Sequence, residues 1–144
     1  MQAEPIVIAS DHAGVDLKSA LVAELERLGL AALDLGTGPA QPADYPDVAD
    51  RVAAAIAAGR ARRGVLICGT GIGVSIAANR HRNIRAALCH DVSSSRLCRE
   101  HNDANVLVLG ARMIGTEVAK DCLATFLSTP FAGGRHAPRV AKLA

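Results

Sequence analysis

The stretch Val65-Leu-Ile-Cys-Gly-Thr-Gly-Ile-Gly73 joins a short aliphatic run to a glycine-rich turn, and a helical pattern follows it. A buried strand, a tight turn and a helix are expected in that order. Because such aliphatic runs carry apolar residues on both alternating faces, they predict strands that are buried on both faces, as in a parallel sheet. Four more runs of this kind occur along the chain, at Ile6–Ala9, Ala31–Leu35, Ala86–Cys89 and Val106–Leu109.

Helical periods separate the five predicted strands. Leucines recur on one face between residues 17 and 28, and apolar residues repeat at every fourth position from Val48 to Ile56. Alternating strands and helices predict an α/β fold, with a doubly wound, five-stranded, mainly parallel sheet in a single domain over residues 1–144. Gly36–Ala43 is predicted to be a loop. Further helices are predicted to begin within Gly71–Val74 and near Ser93–Ser95, to span about Gly115 to Leu127, and to include the tail from Arg135.

Composition excludes several functional classes. Only 2% of the 144 residues are aromatic, so few rings are present on which nucleic-acid bases could stack. The net charge of +2 is too small for a nucleic-acid or membrane surface, and no apolar run approaches the roughly 18–20 residues that cross a bilayer. The four cysteines lack a CxxC spacing and predict no metal site. Without a signal peptide, they indicate reduced thiols and a cytoplasmic location.

Polar residues follow several of the predicted strands. Asp11-His12 follows the first strand, Cys68 ends the third, and His90-Asp91 follows the fourth. Ligands of open α/β sheets bind at the carboxyl ends of the strands, so we expect a site at that edge. The tail residues Arg135, His136 and Arg139 are expected to join it.

The strongest local pattern is Cys68-Gly-Thr-Gly-Ile-Gly73. Glycines allow the backbone to turn tightly and point several N–H groups inward, which makes a nest for an anion. A cysteine beside these dipoles is expected to have a thiol pKa below the free value of ~8.5, as a base near neutral pH requires. The simpler alternative is a buried cysteine that ends a strand and has no chemical role.

Other glycine-loop functions fit this stretch less well. Dinucleotide binding requires G-x-G-x-x-G, which Gly69 and Gly71 begin, but Val74 occupies the third position. A phosphatase of the low-molecular-weight type requires an arginine where Val74 stands, and a P-loop requires a lysine that is missing. A dinucleotide- or sugar-phosphate-binding module without catalysis remains an alternative.

A second polar cluster, His101-Asn-Asp-Ala-Asn105, lies at the predicted end of the fourth helix. Asp103 and Asn105 fit ordinary turn chemistry. Histidine is the residue type suited to proton transfer near neutral pH, so His101 is a candidate for that role. Arg135 and Arg139, four residues apart, are expected to share one helical face and to suit a phosphate dianion.

Six motifs occur in order along the chain: Ser10-Asp-His-Ala-Gly14, Asp44-Tyr-Pro46, Cys68-Gly-Thr-Gly-Ile-Gly73, Ile76-Ala-Ala-Asn79, Arg99-Glu-His-Asn-Asp-Ala-Asn105 and Gly133-Gly-Arg-His136. Together they give the chain a family resemblance. It resembles the type B ribose-5-phosphate isomerase family, which includes the galactose-6-phosphate isomerase subunits, over essentially its whole length. The resemblance implies a Rossmann-like three-layer α/β/α domain that needs no metal or cofactor. It also implies a homodimer or dimer of dimers with shared active sites.

The resemblance also implies a reaction, the aldose–ketose isomerisation of ribose 5-phosphate to ribulose 5-phosphate through an enediolate. Cys68 would be the base that moves the proton between C1 and C2. Thr70 and the amides of Gly69, Gly71 and Gly73 would line the site of the developing enediolate oxygen.

The same resemblance implies the substrate contacts. Asp11 would bind sugar hydroxyls with Tyr45 nearby, and His12, Arg135 and Arg139 would hold the phosphate.

Two further residues would come from the partner subunit. His101 would assist ring opening, and Asn102 would contact the reacting oxygens. The matching tail motif includes His136 without implying a role for it. Ser93 lies in a segment where family members often carry an aromatic residue, so a tetrose or hexose phosphate is the alternative substrate.

Overall fold

The five aliphatic runs form one parallel sheet in the computed structural model, which describes residues 4–36 and 43–144. Its strand order is β2-β1-β3-β5-β4, and every neighbouring pair is parallel. The strand predictions are confirmed to within two residues at each end. The strands are β1 Pro5–Ser10, β2 Ala31–Asp34, β3 Arg63–Cys68, β4 Ala86–Leu88 and β5 Val106–Gly110.

Helices cover both faces of the sheet, so the predicted three-layer α/β/α fold is confirmed. Odd- and even-numbered residues of the central strands point to opposite faces of the sheet. The two sets therefore belong to two different aliphatic core layers. One layer packs against α1, α4 and α5, and the other packs against α2 and α3. The helices are α1 Val15–Arg27, α2 Tyr45–Ala57, α3 Ile72–Ala78, α4 Val92–Asn102, α5 Thr116–Ser128 and α6 Ala137–Ala141.

The two edge strands differ from the prediction. The central strands β1, β3 and β5 are buried on both faces, but β2 and β4 are partly exposed. Each edge strand has a neighbour on one side only, so solvent reaches the other. On β4, the side-chain amide of Asn79 occupies that open side. It accepts from the Ala86 N–H at 2.8 Å and donates to the Ala86 carbonyl at 3.0 Å.

The register of the sheet aligns the strand ends that carry the candidate site. Ser10 pairs with Ile67, and Cys68 pairs with Gly110. The loops after β1, β3 and β5 therefore meet at one edge, the carboxyl edge of the sheet. Most of the predicted loop at Gly36–Ala43 lies outside the described residues.

Candidate active site

The glycine turn, residues 68–73, surrounds the Cys68 thiol with backbone. Cys68 is 5% exposed, and the Gly71 N–H donates a hydrogen bond to its sulfur at 3.1 Å. Gly71 has a φ of +80°, in the left-handed region that favours glycine. The Thr70 hydroxyl accepts from the Ile72 N–H at 3.1 Å. The Gly71 amide, expected to line the oxygen site, thus contacts the sulfur itself.

The loop after β5 holds the glycine turn in place and brings a cation to it. The Ala111 N–H donates to the Cys68 carbonyl at 2.9 Å, and the Arg112 N–H donates to the Gly69 carbonyl at 2.8 Å. The Arg112 side chain lies so close that a Cβ on Gly69 would be 3.6 Å from its guanidinium carbon. Sequence analysis missed Arg112. Its position two residues beyond a parallel strand, at the carboxyl edge, was the available signal.

Tyr45 packs over the far end of the turn. A Cβ on Gly73 would lie 2.7 Å from two carbons of the Tyr45 ring, so only glycine allows this contact. Tyr45 is the first residue of α2, and 43% of it is exposed. Its ring therefore joins the α2 layer to the glycine turn while part of it faces solvent.

Asp11 and His12 follow β1 at the same edge. The Asp11 N–H donates to the Ile67 carbonyl at 3.2 Å, which ties this loop to β3. One Asp11 carboxylate oxygen accepts from the Ala13 and Gly14 amides at 3.0 and 3.2 Å. Asp11 is buried by this turn, whereas His12 is exposed.

The segment after β4 also begins at the carboxyl edge. Asp91 caps α4 by accepting from the Ser94 N–H at 2.7 Å, and this contact lowers the pKa of the Asp91 carboxyl. His90 and Ser93 are exposed on either side of it.

A second group of predicted residues lines a cavity of about 400 Å³, here called the tail cavity. The ring of His136 stacks on that of His101, with centroids 4.4 Å apart and planes 17° from parallel. Burial lowers the pKa of His136, and the neighbouring basic groups His101, Arg135 and Arg139 add to that effect. The predicted shared face of the two arginines is consistent with their place in one cavity. The lining residues are His101, Asn102, Arg135, His136, Arg139, Val140 and Leu143.

The tail cavity lies at the opposite end of the sheet from Cys68. His101 and Asn102 end α4, directly before β5 begins at Val106, whereas Cys68 pairs with Gly110 at the other end of β5. The length of β5 alone separates the two ends by about 13 Å. The expectation that the tail joins the carboxyl edge is therefore wrong within one chain. The tail packs on α4 instead, where the Ala132 N–H donates to the Glu100 carbonyl at 3.1 Å.

The other three cysteines are buried in the core layer on the opposite face of the sheet from Cys68. Burial raises the pKa of Cys122 to about 11. A hydrogen bond with Cys89 raises the pKa of Cys98 above its usual value. Their burial fits the packing role of small apolar residues.

The described residues, 4–36 and 43–144, bear on two other functional classes, metal binding and membrane insertion. No three His, Cys, Asp or Glu side chains in this part of the chain are grouped as metal ligands would be. No helix in it has the length and apolar character to cross a membrane.

Comparison with known proteins shows which family this chain belongs to. The sequence pattern of the ribose/galactose isomerase family matches residues 6–143. The chain belongs to the ribose/galactose isomerase family. The predicted family and the predicted enzyme class, an aldose–ketose isomerase, are confirmed.

Individual members of the ribose/galactose isomerase family match over nearly their whole length. Ribose-5-phosphate isomerase B of Escherichia coli is 45% identical over 94% of this chain and 91% of its own. D-erythrulose-4-phosphate isomerase of Pectobacterium atrosepticum is 45% identical over 96% of this chain and 91% of its own. The structure of a ribose 5-phosphate isomerase from Thermotoga maritima has a TM-score of 0.94 at 50% identity, and 97% of each chain is covered.

Proposed function

We propose that this chain, as one domain over residues 1–144, interconverts ribose 5-phosphate and ribulose 5-phosphate without a cofactor, using Cys68 as the base. The observation that carries the proposal is the Gly71 N–H aimed at the Cys68 sulfur at 3.1 Å. The bond holds the sulfur at the carboxyl edge of the sheet, where ligands of open α/β sheets bind. The other three cysteines lie on the opposite face of the sheet.

The proton transfer follows from the position of that sulfur. The Cys68 thiolate takes the proton from C2 of the open-chain aldose, and the C–H electrons form the C1–C2 double bond of an enediolate. Negative charge then gathers on the former carbonyl oxygen, where Thr70 and the Gly69 and Gly73 amides would stabilise it. Return of a proton from Cys68 to C1, with the hydroxyl proton passing from O2 to O1, yields the ketose, and a proton on the sulfur that exchanges with solvent before it returns introduces solvent hydrogen. One base that reaches both carbons suffices.

Substrate binding at this edge would use the groups around the turn. Asp11 would contact sugar hydroxyls through the carboxylate oxygen that does not cap its own loop, beside Tyr45. His12 and Arg112 add polar and positive groups at the same edge, which suits a phosphate ester.

A complete site on this plan requires a second copy of the chain. The base and the ring-opening His101 lie at opposite ends of one sheet, so a substrate cannot contact both within a single chain. Exposed apolar residues flank each group: Ile72 and Ile76 on α3 beside the glycine turn, and Leu143 beside the tail cavity. We infer a homodimer or dimer of dimers in which each tail cavity, with Asn102, Arg135 and Arg139, completes the partner's site.

Deuterium exchange tests the base. In D₂O, wild-type protein should exchange deuterium into C2 of ribose 5-phosphate, as followed by NMR, and Cys68→Ala should lose that exchange. Cys89→Ala is the matched control, because it removes a buried thiol from the other face of the sheet. Full exchange by Cys68→Ala would overturn the base assignment while leaving the enzyme class intact.

Subunit mixing tests the shared site. Inactive Cys68→Ala and His101→Ala proteins, mixed equally and allowed to exchange subunits, should recover about one quarter of wild-type activity, because half the dimers then carry one intact site. No recovery despite verified exchange would place both residues in the same subunit's site.

A four-carbon substrate is the second candidate, since the erythrulose-phosphate relative is as similar, at 45% identity, as the ribose-phosphate one. The exposed Ser93, in a segment where the family often has an aromatic residue, fits an altered pocket. A panel of tetrose, pentose and hexose phosphates, assayed for kcat/KM, distinguishes these substrates. Failure of the whole panel, with saturable NAD binding in calorimetry, would favour a non-catalytic binding module. The cytoplasmic location stays a prediction.

A further inference from the structure

The stacked ring of His136 has no part in the reaction described so far. It lies 4.4 Å from the His101 ring and almost parallel to it, and both rings are half-buried in the tail cavity. The bond from Ala132 to Glu100 fixes the tail on the last turn of α4 and so brings the two rings together. The arrangement restricts rotation of the His101 imidazole, whose free movement would otherwise have to be lost during catalysis.

The charges around His136 keep its ring neutral. Arg135 and Arg139 flank it on the tail, His101 faces it from α4, and Glu100 is the acidic group nearby. Burial and the three basic groups lower the pKa of His136 below its ordinary value. At neutral pH the ring is therefore a flat uncharged surface beside the positive charges of Arg135 and Arg139.

We propose that His136 is a positioning residue that holds the His101 imidazole in the orientation that opens a furanose ring. This inference rests on the proposed function. In the opening step His101 takes the proton from the O1 hydroxyl, the bond between C1 and the ring oxygen breaks, and the ring oxygen receives a proton from the imidazolium. C1 is left as the carbonyl that the proton transfer at Cys68 requires.

If His136 acts in this way, the effect of replacing it should depend on whether the substrate is cyclic. Ribose 5-phosphate closes through its C4 hydroxyl and must be opened. Ribulose 5-phosphate and D-erythrose 4-phosphate cannot close such a ring, because phosphate occupies the hydroxyl that would form it. A residue that acts only through ring opening should matter for the first compound and not for the other two.

The test compares His136→Ala, which removes the stack, with His136→Phe, which keeps a flat ring in its place. Val118→Ala is the control, since Val118 is partly exposed on α5 and does not line this cavity. Against ribose 5-phosphate, His136→Ala should lower kcat about tenfold or more, with KM changed less than about twofold. Deuterium exchange at C1 of ribulose 5-phosphate, and turnover of D-erythrose 4-phosphate, should stay within about twofold of wild type. His136→Phe should retain most of the ribose 5-phosphate activity.

Three results would overturn the inference. Equal losses on cyclic and open-chain compounds would show a general structural effect. A raised KM with unchanged kcat would assign His136 to substrate binding, and a His136→Phe defect as large as that of His136→Ala would show that stacking is not what matters. If the wild-type protein isomerises none of the compounds, the proposed function fails, and that failure is visible before any His136 variant is compared.

Discussion

Replacing Gly71 by alanine should destabilise the protein by two separate effects at one position. Its φ of +80° costs an L-residue about 1–2 kcal/mol. A Cβ there would also lie 2.5 Å from the Leu88 Cδ1 and 3.2 Å from the Leu109 carbonyl carbon. The leucine side chain can move aside, but the β5 backbone cannot, and such overpacking costs about 1–3 kcal/mol. We therefore expect a total loss of about 2–5 kcal/mol.

Gly59→Ala is the matched control for this prediction. Gly59 has nearly the same φ, +77°, but no atom of the described residues lies within 4 Å of the Cβ it would gain. It should lose only the conformational part, about 1–2 kcal/mol. Urea unfolding at one fixed protein concentration gives the free energies for both variants, and isomerase assays should show a loss in Gly71→Ala alone. Equal destabilisation of the two variants would refute the reasoning, because the close contacts around the turn would then contribute nothing.

Two further predictions concern the core and the start of α4. Phe126 is fully buried, so Phe126→Ala should lower the free energy of unfolding in urea by about 3–5 kcal/mol; a loss under about 1 kcal/mol would mean that the core closes around the cavity. The pKa of Asp91 is lowered in the folded chain, so the stability it adds is present above about pH 4 and is lost as the pH falls through the lower folded value. Asp91→Asn keeps a capping side chain but cannot titrate. Its melting temperature should therefore fall less steeply below pH 4 than that of the wild-type protein. Parallel curves of melting temperature against pH would contradict this.

The β-sheet and the glycine turn could be predicted from the sequence because short local stretches of residues specify both. An aliphatic run that enters glycines, as at Val65–Gly73, can hardly form anything except a strand and a tight turn. The position of His101 also follows from connectivity, since a helix between parallel strands must end at the amino edge. The tail was misplaced because spacing shows only which residues share a face. No pattern in the sequence indicates that His136 packs on α4.

Arg112 was missed for a related reason. Its relation to Gly69 depends on two loops that follow different strands, 43 positions apart, and no periodicity links them. The direction of a side chain at the end of a strand depends on contacts that only the folded chain reveals. The edge strands show the same limit, because the partial exposure of β2 and β4 depends on their order in the sheet.

The amide of Asn79 has a consequence for how copies of this chain can associate. In β4 the backbone groups of Ala86 and Leu88 point away from β5, and Asn79 already bonds both groups of Ala86. An incoming strand would have to displace that amide before it could extend the sheet. Continuation of the sheet from chain to chain, which is how cross-β fibrils grow, is disfavoured at this edge. Neighbouring molecules would have to meet here through side chains.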